Sequence, residues 1–209
     1  MNIIVTHFFP LGRIFSVLSD ITTKHNRAQA ERLGWAYEFS DKRRVAGSIY
    51  RERSVWILDV MSRYKEGDNI LWIDADAVII GNNTEEIFKD KGDGDVGLVK
   101  YMNEKWNCGV MAFEINKTTI TMFEEIAGHN HGEKCHDGWN WNERTACPLA
   151  PPGRGPLCES SNVKLTELDR KWNDAEVRKE TEIAGFHMLD GYSQVKRVNA
   201  ALSAREGRA

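Results

Sequence analysis

Asn69-Ile70-Leu71-Trp72-Ile73-Asp74-Ala75-Asp76 is the stretch on which the fold turns. The apolar run Ile70 to Ile73 reads as a short buried strand, so Asp74 and Asp76 emerge at its C-terminal end, where open α/β sheets bind ligands. Upstream, Met1 to His7 reads as a first apolar strand, broken by Phe8-Phe9-Pro10-Leu11-Gly12. Arg13 to Leu33 places Ile14, Val17, Leu18, Ile21, Ala28, Ala30 and Leu33 near helical spacing and stops at Gly34. Trp35 to Phe39 alternates as a second strand. Ile49 to Tyr64 predicts a second helix, with Trp56, Ile57, Val60 and Met61 on one face. Three strands separated by two helices make a βαβαβ half of an open parallel sheet, an architecture of the nucleotide-binding kind, over residues 1–82.

Downstream the order changes. A short helix is predicted around Thr84 to Lys89, then a turn at Gly92-Asp93-Gly94 and strands at Val96 to Tyr101 and Val110 to Ile115. Asn116 caps a helix running to Ala127. Residues 128–162, rich in Gly, Pro, His, Cys and Trp and without periodicity, have the composition of a functional loop. A last strand, Glu182 to His187, leads through Asp190-Gly191 to a polar tail, helical before fraying at Ala204 to Ala209. Residues 83–200 form the second half of what reads as a single α/β domain.

Composition narrows the classes. With 209 residues the chain is long enough for one full core, and 41% hydrophobic against 28% charged residues excludes disordered and fibrous types. Its 28 Lys+Arg against 31 Asp+Glu leave a formal charge of -3, so no global basic field favours nucleic acid. No apolar stretch is long enough to span a membrane and no secretion signal precedes the first strand, which points to a cytoplasmic protein with free thiols. His129, His131, Cys135, His136, Cys147 and Cys158 fall in one segment, yet without a C-x2-C pair a zinc site is the weaker reading beside loop thiols and solvated imidazoles.

Two adjacent carboxylates at a strand end repel unless a cation lies between them, and Mg2+ or Mn2+ takes one or two carboxylates plus diphosphate oxygens. A solvated acidic turn is the plain alternative. Two enzyme classes carry such a motif. Asp74-Ala75-Asp76-Ala77-Val78 is similar by letter to the D-x-D-x-[TV] of haloacid-dehalogenase-type phosphatases, where the first Asp is a nucleophile. That motif normally opens its domain, whereas here two strands and two helices come first, and Asp93 and Asp95 fall too early for the later acidic motif.

Four segments, in order, resemble the GT-A fold nucleotide-sugar glycosyltransferases. These include the galactosyl/mannosyl family of mannan synthesis and xyloglucan xylosylation and the lipopolysaccharide galactosyltransferase and glycogenin-like families. Ile70 to Asn82, ILWIDADAVIIGN, resembles their LWLDADAVIMN. His25 to Trp35 is similar to N-K-x-x-Y-A-x-x-H-G-Y, with Arg27 at the Lys. Trp106-Asn107-Cys108-Gly109-Val110-Met111 resembles F-N-A-G-V-M, and Leu168-Asp169-Arg170-Lys171-Trp172-Asn173 resembles L-P-x-K-W-N. The resemblance implies a Rossmann-like open mixed sheet flanked by helices, and a metal-dependent hexosyl or pentosyl transfer from a nucleotide-sugar, a UDP-sugar first, with retention.

It also implies roles. Asp74 and Asp76 would bind Mn2+ or Mg2+, completed by His187 in a looser version of H-F-x-G-x-x-K, with Lys196 reaching the diphosphate or lying on a solvated helix face. Thr6, His7 and Phe8 end the first strand, whose loop takes the base and ribose in these families; an ordinary strand end is the alternative. Arg27 and Ala75 join the donor site through their motifs, and Arg51 and Arg53 are candidates for the phosphates or the sugar, or are exposed helix charge. Asn107 can donate to and accept from sugar hydroxyls, and Gly109 permits close backbone approach. The family's D-Q segment best matches Asn142-Glu143-Arg144, so Glu143 is the candidate sugar-contacting acid and Asp137 its competitor. Trp139 and Trp141 frame an acceptor or pack together. The acceptor is expected to be a glycan or small molecule. A modified base in phage-type DNA is favoured by Lys42-Arg43-Arg44 and opposed by the acidic total.

Overall fold

The computed structural model describes residues 1–8, 13–42, 44, 49–100, 106–128, 163–186 and 191–206. The first half follows the expected order: β1 (Asn2–His7), α1 (Arg13–Leu33), β2 (Ala36–Ser40), α2 (Ile49–Met61) and β3 (Asn69–Ile73). Then come β4 (Ala77–Ile79), α3 (Glu86–Lys91), β5 (Val96–Lys100), β6 (Trp106–Glu114), α4 (Lys117–Gly128), β7 (Leu165–Leu168), a 3-10 turn (Arg170–Trp172), β8 (Ile183–Gly185) and α5 (Gly191–Glu206).

Six strands form one mixed sheet in the order β2-β1-β3-β6-β5-β7. β2, β1 and β3 are parallel, β6 runs antiparallel to both β3 and β5, and β7 is parallel to β5. Alternation along β3 sends Ile70 and Trp72 to one face, where Trp56, Ile57 and Val60 of α2 and Met122 and Phe123 of α4 cover them. Leu71 and Ile73 face the other side, against Ala30 of α1, Ile87 of α3 and Trp172. The two-faced burial explains why this strand is a continuous apolar run.

β4 and β8 pair antiparallel as a separate two-stranded ribbon. Val78, Ile80, Ala184 and Phe186 from the ribbon and its flanks pack with Leu18 of α1 and Val198 and Ala201 of α5. This corrects the expectation of one long final strand over Glu182 to His187: the strand is three residues, and its partner is the segment after the Asp pair rather than the main sheet. Other boundaries move too: α3 lies two residues beyond the expected Thr84 to Lys89, and β2 one residue beyond Trp35 to Phe39. β6 begins at Trp106, four residues before the expected start, with a register shift at Leu98/Val99 of β5 absorbing the extra length. α2 stops at Met61, three residues short of Tyr64. The Asn116 cap is present: its Oδ1 accepts the Thr119 N–H at 2.9 Å while Thr119 Oγ1 accepts the Asn116 N–H at 3.1 Å. Among the described residues no helix is long and apolar enough to cross a membrane.

Candidate active site

β1 connects out to β2 and the chain then returns to β3 on the other side of β1, so the strand order switches between β1 and β3. A crevice opens at such a switch, outside the C-terminal strand ends. Because β6 is antiparallel, its N-terminal residues arrive at the same edge. The ladder continues one residue past β3: the Asp74 N–H donates to the Gly109 carbonyl at 2.8 Å. Asp74-Ala75-Asp76 then turns, closed by the Ala77 N–H on the Asp74 carbonyl at 3.0 Å, and feeds β4.

The two carboxylates are each oriented by named donors. Asp74 Oδ1 accepts from Trp72 Nε1 at 2.7 Å and from Arg53 Nη1 at 3.3 Å. Arg53 is held in turn by the Cys108 carbonyl at 2.8 Å, and its guanidinium lies 5.6 Å from the centroid of the Trp72 ring. Its side chain is 9% exposed and that of Asp74 33%, so the pair spans the boundary between core and crevice. Asp76 Oδ2 accepts from Gln194 Nε2 on α5 at 3.0 Å. Behind the turn, Thr22 of α1 donates to the Ala75 carbonyl at 2.6 Å, and Asn26 donates to the Ala77 carbonyl and accepts the Ile79 N–H, both at 3.0 Å.

β6 adds Asn107, 7% exposed, whose Oδ1 accepts the Gly109 N–H at 2.7 Å and whose Nδ2 is buried without a hydrogen-bond partner. An unpartnered buried amide donor is an exception among buried polar groups. At the end of β1, Thr6 is buried, its carbonyl accepting from Trp56 Nε1 at 3.1 Å and its hydroxyl lying beside the Tyr37 phenol outside hydrogen-bonding geometry. Burial raises the Tyr37 phenol above its ordinary value. His7 Nε2–H donates to the Lys42 carbonyl at 3.2 Å with Glu52 Oε1 3.9 Å away. Burial lowers its pKa, against the raising effects of that carbonyl and of Glu52. The Phe8 N–H donates to the Ser40 carbonyl at 2.8 Å.

Asp74, Asp76, Ala75, Arg53, Asn107 and Gly109 are thus gathered at one edge, with Thr6, His7 and Phe8 at the end of the neighbouring strand. Arg27 is exposed on α1, 5.4 Å from the Tyr37 ring centroid beside β2, and Lys196 is exposed on α5; no described contact joins either to the Asp74–Asp76 turn. His187, Glu143, Asp137, Trp139, Trp141 and the Cys/His segment lie outside the described residues. Among the described residues no cluster of three or more His, Cys, Asp or Glu side chains is assembled, and Cys108 is buried and in no disulfide. Sequence reading missed Trp72 Nε1, Thr22 and Gln194 as site-forming groups. The Trp signal was available two residues before Asp74, whereas Gln194 lies 118 residues from Asp76 with no motif to tie them.

No protein-family model matches the chain, and no curated protein matches it. Solved structures do. A glycosyltransferase involved in the glycosylation of the major capsid of PBCV-1 superposes with a TM-score of 0.65 at 10% identity, over 95% of this chain and 98% of that one. The glycosyltransferase GlyE of Streptococcus pneumoniae TIGR4 superposes with a TM-score of 0.52 at 10% identity over 96% of this chain, which spans 64% of that protein's length. Both neighbours are glycosyltransferases, and the chain has the fold of the GT-A glycosyltransferases.

Proposed function

We propose that this chain is a metal-dependent glycosyltransferase that moves a hexose or pentose from a nucleotide-sugar, a UDP-sugar first, to a hydroxyl of a glycan or small molecule. The observation that supports it most is the position of Asp74 and Asp76, at the C-terminal end of β3 beside the strand-order switch. The donor set fits Mn2+ or Mg2+: two partly exposed carboxylates, hard oxygen ligands, each with one oxygen already oriented. His187 is the proposed third protein ligand. A cation held there offsets the charge on the departing diphosphate when the anomeric C–O bond breaks.

The chain's own groups divide the remaining work. Arg53 offsets part of the Asp74 charge and keeps that carboxylate turned toward the β6 edge. The Asn107 amide donates to the donor sugar, and Gly109 lets the sugar approach the β6 backbone. Thr6, His7 and Phe8 flank the base and ribose, with Arg27 and Lys196 as outlying cations toward the phosphates. Glu143, or Asp137 in its place, meets the reacting sugar, and retention follows from the family resemblance.

Of the basic triplet weighed for the DNA-base reading, Lys42 and Arg44 are exposed and Arg43 lies outside the described residues. Arg44 is nevertheless engaged, its guanidinium 4.3 Å from the Trp56 ring centroid and its Nη1 donating to Ser40 Oγ at 2.7 Å, which occupies one cation of the triplet. The phosphatase reading needs Asp74 as a nucleophile in a motif that opens its domain, whereas Asp74 follows the third strand of the sheet.

Thermal-shift titration with UDP-, GDP- and ADP-sugars, with and without Mn2+, tests the reading. A ligand at a hundred times its Kd adds roughly 2.7 kcal/mol, or about 5 °C and more in Tm for a chain of this size. A UDP-sugar shift that needs Mn2+ is expected; no shift with any nucleotide-sugar would overturn the assignment.

A further inference from the structure

Gln194 is 2% exposed, and both protons of its side-chain amide are committed: Nε2 donates to Asp76 Oδ2 and to the Phe186 carbonyl, each at 3.0 Å. The pairing fixes which end of the amide is which, because the reversed orientation would set the carbonyl oxygen against a carboxylate and a second carbonyl. Its own Oε1 is buried without a hydrogen-bond partner. Folds seldom leave a buried acceptor unsatisfied, and such groups concentrate where something other than stability fixes the side chain. Phe186 closes the loop, its N–H directed at the Asp76 carbonyl at 3.3 Å. Asp76 is therefore tied by side chain and backbone to the end of β8, through one residue of α5.

We propose that Gln194 is a positioning residue for the cation site, a neutral donor that aims the Asp76 carboxylate without spending its charge. The inference rests on the metal-dependent reading of Asp74 and Asp76. The chemistry of the alternatives explains the choice of residue. Lys or Arg at 194 would neutralise Asp76 and compete with a cation, and Glu would place a like charge against it. An amide, like the Trp72 indole on Asp74, supplies a hydrogen bond without itself neutralising the carboxylate. Partners of this kind, which orient a metal ligand without touching the metal, typically change metal affinity 10- to 100-fold when removed.

The test is Mn2+ binding itself, followed by the loss of the free Mn2+ electron paramagnetic resonance signal on titration with the whole chain, together with UDP affinity in the absence of metal. Gln194→Met keeps length and burial but removes the donor, and is expected to weaken Mn2+ at least tenfold while metal-free UDP affinity stays within twofold. Gln194→Asn, which keeps the amide but shortens its reach, should weaken Mn2+ by roughly three- to tenfold, between native and Met. It also serves as the second variant if Gln194→Met does not fold. Mn2+ affinity within twofold of native in either folded variant, with Asp76→Asn abolishing it, would overturn the role of Gln194 alone. Mn2+ binding that survives Asp76→Asn unchanged, or is absent from the native chain, would overturn the cation reading and this inference together.

Discussion

Asp74 and Asp76 are two residues apart but sit in different surroundings, and the difference predicts different consequences for the same substitution. Asp74 pairs with Arg53, a side chain largely withdrawn from water, so Asp74→Asn leaves a buried guanidinium short of its counter-charge. At Asp76 the Gln194 amide donates to a side-chain oxygen, and Asn keeps an oxygen that can accept it. Asp74→Asn should therefore cost about 1–2 kcal/mol of folding stability, discounted for the partial exposure of the carboxylate. Asp76→Asn should leave Tm near native while lowering Mn2+-dependent turnover by about 10² or more. Paired denaturation and activity measurements on the two variants separate these outcomes.

His7 gives a second test at this scale. Its depressed pKa means that the folded state favours the neutral imidazole, so its contribution is complete above the unfolded value near 6.5 and is lost as pH falls toward the folded pKa. Thermal melts from about pH 8 to about pH 5 should show the native chain losing more stability below pH 6.5 than His7→Gln does. Parallel curves would contradict the burial account.

Among the elements, α1 has a polar stripe on a buried face. Thr22 and Asn26, four residues apart and both fully buried, bond the backbone of the Asp turn and of β4. Asn26→Leu removes a donor and an acceptor that serve β4 and strands both backbone groups. A loss of about 2–4 kcal/mol in chemical denaturation is expected, with weakened nucleotide-sugar binding following from the disturbed turn. The ribbon makes a second element-level prediction. A Cβ at Gly81 would run into the Glu182 side chain and come within 2.8 Å of its Cα, where the Ile80 and Gly81 N–H groups already donate to the Glu182 carbonyl at 2.8 and 3.0 Å. Gly81→Ala should destabilise by about 1–3 kcal/mol, measured the same way.

Elements with strong periodicity were legible and short or edge elements were not. α1 spans the residues that its apolar spacing indicates, and β3 those of its apolar run. β7 is an edge strand whose Leu165-Thr166-Glu167-Leu168 has only one buried residue, so no alternating pattern marks it. β4 carries three fully buried residues that read as an extension of the Asp motif, since nothing local reveals that Ala184 lies opposite Val78. The Asp pair itself was visible because an apolar strand presents it. Its supports at Thr22 and Gln194 come from 53 and 118 residues away and have no spacing signature.

For the molecule as a whole, the strand-order switch sets the ligand edge and antiparallel β6 supplies one side of it. A parallel neighbour would bring its C-terminal end to this edge, whereas antiparallel β6 starts here and so sets its N-terminal residues Asn107 and Gly109 at the edge where Asp74 emerges. The formal charge of -3 offers a diphosphate no general attraction, so the account requires a cation to make this edge hospitable to one. Turnover is therefore expected to be metal-gated rather than merely metal-enhanced. The most direct measurement is release of UDP from UDP-sugars by the native chain with Mn2+, after chelation, and with Asp74→Asn and Asp76→Asn. UDP release with Mn2+ is expected, falling by about 10² or more on chelation or in either variant. Release that is indifferent to metal and to both substitutions, or hydrolysis of simple phosphomonoesters in its place, would contradict it.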